Sequence, residues 1–169
     1  MAHHHNWSKT RQELESRLAG CLKNRVFYSF AVHHSKRYIR SIDMPIFYLR
    51  VDKQTWFASN PQFYAARAQL SDFQKKAENA DFSSIYESGY VDVDRVMEYV
   101  HQYLNVYSLT DCLESGNYFL YMLAILDRRL GKRRLHEILD HLEQEPVWIR
   151  KYILLRAKGE GLLNHERDT

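Results

Sequence analysis

The run YFLYMLAIL, Tyr118 to Leu126, constrains this chain more than any other feature. It is apolar on nearly every side of a helix, and such a helix is stable in water only when neighbouring elements cover it. Its nine residues fall far short of the roughly 20 that a membrane span needs. A buried helix is therefore predicted here, and no membrane partner is expected.

The preceding residues supply strands. In VFYSFAV, Val26, Tyr28, Phe30 and Val32 alternate with Phe27, Ser29 and Ala31, the period of a strand. Ile46 to Val51 and Gln54 to Ala58 are two further β-prone runs joined at Asp52-Lys53, which predicts a tight hairpin. A first helix is expected over Asn6 to Asn24, with Ser8 as its N-cap, Leu14, Leu18, Cys21 and Leu22 on one face, and Gly20 weakening its end. The expected fold is α+β: an N-terminal helix, a small antiparallel sheet of three to four strands, and a helical C-terminal half.

Pro61 is well placed to start a helix running to about Asn79, and the polar stretch ENADFSSIYESGY then reads as a loop. Helical spacing returns through Val93, Val96, Met97, Val100, Tyr103 and Leu104, with Asp92 and Asp94 at the favourable end of the dipole. A short helix is expected over Leu109 to Glu114. Beyond the buried run, Leu135, Ile138, Leu139 and Leu142 form a clean apolar stripe, and a last helix begins at Glu145-Pro146 and stops at Gly159. Short connections imply three antiparallel, layered helices.

A chain of 169 residues fits one domain with a normal core. The opening MAHHH reads as the remnant of an expression tag, residues 1–5. The domain then occupies 6–163, and 164–169 form a frayed tail. The net charge of +3 is too small to argue for nucleic acid by itself. The two cysteines, Cys21 and Cys112, have no paired spacing, which fits a reducing cytoplasm and buried thiols.

One segment breaks a local rule. In DRRLGKRR, Asp127 is followed by Arg128, Arg129, Lys132, Arg133 and Arg134, interrupted by Gly131. Arg128 and Arg129 are expected in the last turn of the buried helix, where cations suit the dipole, and Gly131 in a left-handed C-terminal position. Lys132, Arg133 and Arg134 then fall in the first turn of the next helix. Each cation there is unfavourable by roughly 0.3–1 kcal/mol. Something negative must face them. It is either internal (Asp127, Glu137 or Asp140) or external, a phosphate or an acidic surface that arginine would bind bidentately. Arg150, Arg156 and Lys158 extend the patch if they face the same side.

Other chemistry is weaker. His136 and Asp140 share a helix face, but His141 misses the HExxH spacing by one residue and no third ligand is identifiable. His33 and His34 are adjacent and would point to opposite faces of a strand. No phosphate loop, dinucleotide fingerprint, nucleophile elbow or calcium loop occurs. No catalytic residue, metal or cofactor is expected.

The segments NWSKTRQELESRL, VDKQ, LAILDRRLGKRRL and EPVWIRKYILLRAKGEG together are similar to an uncharacterised family of small bacterial cytoplasmic proteins. The late motif, L-A-x-L-D-R-R-x-G-K-R-x-L, is the specific part; Pro61 to Tyr107 matches only loosely. The resemblance implies a bacterial, cytoplasmic protein and supplies no activity, cofactor or catalytic residue. It points to Asp127, Arg128, Arg129, Gly131, Lys132 and Arg133.

The expected function is non-enzymatic binding. The basic corner, with nearby tyrosines and Trp148, would hold an acidic protein or a phosphate-bearing ligand. A nucleic-acid binder and an enzyme without a recognisable motif are the alternatives, and the oligomeric state is left open.

Overall fold

A computed structural model describes residues 6–35, 42–59 and 93–163. The helix expected from Pro61 to Asn79, the loop after it, the tag remnant and the tail lie outside the described residues.

The chain opens with helix α1 (Trp7–Arg17) and a 3₁₀ turn, Gly20–Leu22. Strands β1 (Val26–Ser35), β2 (Ile42–Val51) and β3 (Gln54–Ala58) form an antiparallel sheet in the order β1-β2-β3. Helices α2 (Val93–Asn105), α3 (Leu109–Glu114), α4 (Tyr118–Leu126), α5 (Lys132–Asp140) and α6 (Val147–Gly159) complete an α+β fold. The strands number three among the described residues.

The register pairs Val26 with Val51, Tyr28 with Leu49 and Phe30 with Phe47. This puts the large apolar residues of β1 and β2 on one face. Val26, Tyr28, Phe47, Leu49, Val51 and Phe57 are buried there, while Phe27 is exposed. Phe119 of α4 meets Phe57 and Phe47 at 5.2 and 6.0 Å between ring centres. The apolar helix is thus buried as its composition demands: every residue from Met122 to Leu126 is inaccessible to solvent.

The hairpin forms at Asp52-Lys53, both with positive φ (49° and 71°), the backbone that matches strand twist in a two-residue turn. Arg25 holds it with a bidentate pair to Asp52, at 3.0 and 2.6 Å. The β2–β3 register then skips Trp56, a bulge that takes its carbonyl out of the ladder. The Lys151 ammonium on α6 donates to that carbonyl at 3.0 Å. It also lies 5.0 Å from the centre of the Trp56 ring and 5.3 Å from that of Tyr152. Loss of solvent lowers the Lys151 pKa.

Three local expectations need correction. Ser8 is not the N-cap: α1 starts at Trp7 after Asn6, which makes no side-chain cap. Packing sets this start, since Trp7 lies 5.9 Å from both Phe30 and Phe47. The first helix also ends earlier than Gly20. Leu18 turns extended to bridge Asp127, and the Ala19 amide donates to the Leu126 carbonyl. Gly131 is not left-handed; with φ −72° and ψ 155° it is the extended residue before α5. The physical reason lies upstream: α4 stops at Leu126, so Arg128 and Arg129 lie in the turn beyond it rather than in its last turn.

The last three helices run up, down and up. Tyr118 and Trp148 meet at the starts of α4 and α6, and Arg156 near the end of α6 reaches Leu126 at the end of α4.

Candidate functional site: the basic corner

Four helix C-termini converge at one end of the molecule. The end of α1 is stitched to the end of α4 by Ala19 N–H to Leu126 carbonyl (3.0 Å) and Arg128 N–H to Arg17 carbonyl (2.7 Å). The Arg17 guanidinium donates to the Tyr103 and Leu104 carbonyls at the end of α2 (2.8 and 2.6 Å) and stacks 4.9 Å from the Tyr103 ring centre. Arg156, in the last turn of α6, is only 3% exposed. It donates to the carbonyls of Leu126 (3.3 Å), Asp127 (3.0 Å) and Leu130 (3.0 Å). Helix C-termini carry partial negative charge and unpaired carbonyls, so clustering them calls for cations.

Asp127 sits at the centre and is 1% exposed. Its Oδ2 accepts from the Tyr103 hydroxyl (2.6 Å) and from Arg129 Nη2 (2.7 Å) and Nε (3.0 Å). Its Oδ1 accepts from the Arg129 amide at 2.8 Å, closing a tight local turn. Burial alone would favour the neutral acid. The hydrogen bonds from Arg129 and Tyr103 outweigh it and hold the carboxyl below its ordinary range. The Tyr103 phenol is pushed far up, first by burial and then by the charge of Asp127.

Two cations of the second half, Lys132 and Arg134, find carboxylates from elsewhere in the chain. Lys132 Nζ donates to the Glu160 carbonyl at 3.1 Å and lies 3.6 Å from its carboxylate. Glu160 also lies 3.0 Å from Arg156 Nε, as an ion pair rather than an aligned hydrogen bond, and accepts weakly from Cys21 Sγ at 3.7 Å. Arg134 reaches Glu114 (3.1 Å) and Thr110 (3.5 Å) on α3. Among the described residues Arg133 has only Glu137 on its own helix, at 3.7 Å, and its side chain is 95% exposed. Arg128 is exposed and makes no ion pair with the described residues.

The geometry thus gathers Asp127, Arg128, Arg129, Lys132, Arg133, Arg134 and Arg156, but not Arg150. Six residues, about 9 Å of helix, separate Arg150 from Arg156. Arg150 instead ties down the α5–α6 connection through Glu143 and the Glu145 carbonyl. Trp148 is not at the corner either. It is buried at the opposite end of α6, between Tyr118 and Tyr152. Three contributors escape sequence reading, namely Arg17, Glu114 and Glu160. Arg17 and Glu114 act across 87 and 20 residues, and Glu160, although it pairs locally with Arg156, reaches Lys132 across 28.

Other candidates stay apart. His136 and Asp140 form an exposed pair at 3.8 Å, and no group of three metal-type ligands occurs among the described residues. His33 and His34 lie in β1, paired in register with Met44 and Asp43. Burial pushes the Cys112 thiol up to about 11, which suits an inert core thiol. No described helix is long and apolar enough to cross a membrane.

A protein-family model matches residues 6–157, from the first residue before α1 to the turn of α6 that holds Arg156. The chain belongs to the SF0329 protein family. No curated protein and no solved structure matches it. The span shared with the SF0329 family includes the stitching of α1 to α4 and most of the corner, with Glu160 just beyond it.

Proposed function

We propose that this SF0329 family member is a non-enzymatic binding protein that docks an acidic or phosphorylated partner on the outer rim of its basic corner. Arg128 and Arg133 make the leading contacts, with Lys132 beside them. Asp127, Arg129 and Arg156 form the frame behind the rim. What supports the reading is Arg128: its guanidinium is exposed and has no carboxylate among the described residues, whereas the cations around it have one. The first turn of α5 adds a second reason. It contains no acidic residue and no side-chain cap, so its amides favour an anion. A cytoplasmic setting goes with this reading, since both cysteines are free thiols, and a bacterial one follows the family resemblance of the sequence.

The test is amide chemical-shift mapping of the intact chain with poly-glutamate, inorganic phosphate and duplex DNA as separate probes. Poly-glutamate or phosphate should shift the amides of 128–134, and R128E/R133E should abolish the shifts while keeping the far-ultraviolet spectrum. Shifts that survive the charge reversal would sink the proposal. DNA binding with a steep salt dependence would replace it with a nucleic-acid role.

A further inference from the structure

No further inference is drawn: the strongest candidate, the half-buried Lys151 amine between the Trp56 and Tyr152 rings where α6 meets β3, is already engaged by the carbonyl that the β3 bulge frees, and nothing among the described residues beside it points to a ligand.

Discussion

The Tyr103 hydroxyl donates to Asp127 Oδ2 at 2.6 Å, joining the last turn of α2 to the residue that ends α4 at a point neither side chain shares with solvent. A carboxylate buried there is tolerable only because Arg129 and this phenol replace its water. Asp127→Asn removes the charge that Arg129 answers and is expected to cost about 2–3 kcal/mol. Tyr103→Phe is expected to cost about 1–2 kcal/mol. The double variant should cost less than the sum, because the two residues share one bond. Urea midpoints at constant m-value check all three.

Both ends of the pH scale should weaken the fold. Asp127 has a folded pKa below its ordinary value. Its contribution is present above the unfolded carboxylate value of about 4 and is lost as pH falls through the folded value. Tyr28, Tyr103 and Tyr152 are buried and shifted upward, by burial first in each case. Their contribution is full below the unfolded phenol value of about 10 and disappears as pH rises toward the folded values. Unfolding followed by phenolate absorbance should therefore steepen above about pH 10. Phenols that titrate in the folded state at their ordinary value would contradict the packing described for them.

Arg156 and Arg133 differ by environment, not by residue type. Arg156→Lys keeps the charge but cannot serve three carbonyls in a fixed fork, and a loss of about 2–4 kcal/mol is expected. Arg133→Ala should leave the urea midpoint unchanged, since its partner among the described residues is an exposed carboxylate at 3.7 Å. Equal effects of the two substitutions would mean that the corner is not organised as a frame with an outer rim.

Gly159 offers a steric test. A methyl group there would lie 2.8 Å from Cys21 Sγ and 2.9 Å from its Cβ. Alanine is favoured over glycine in a helix by about 1 kcal/mol, but overpacking costs about 1–3 kcal/mol. Gly159→Ala should therefore be net destabilising. Adding Cys21→Ala should recover only part of the loss, because the Cβ of residue 21 remains. Full recovery would show that the sulfur alone sets the clearance.

Elements governed by nearest neighbours were legible in the sequence. The short helix α3 carries its own start signal, a reciprocal cap between Ser108 and Asp111. The turn at Asp52-Lys53 lies between two alternating runs, and the buried α4 follows from its composition. The corner was legible as a charge problem but not as its solution. Of the carboxylates expected to face the second half, Glu137 meets Arg133 while Asp127 turns to Arg129 instead; Glu114 and Arg17 reach the site only through tertiary packing, as does Glu160 on its way to Lys132. The misplaced helix ends have the same cause. Leu18 and Asp127 leave helical geometry to bridge each other, and no local propensity reports a partner more than a hundred residues away.

The bridge between Leu18 and Asp127 also sets an order of events. About 110 residues separate the two, and closing so long a loop is slow compared with forming a local helix. At synthesis rates of about 5–20 residues per second, α1 emerges roughly 5–20 seconds before the segment it must be sewn to. The turn after α1 therefore leaves the ribosome with the Leu18 bridge unmade and the Ala19 amide without the Leu126 carbonyl, and both wait for the end of α4.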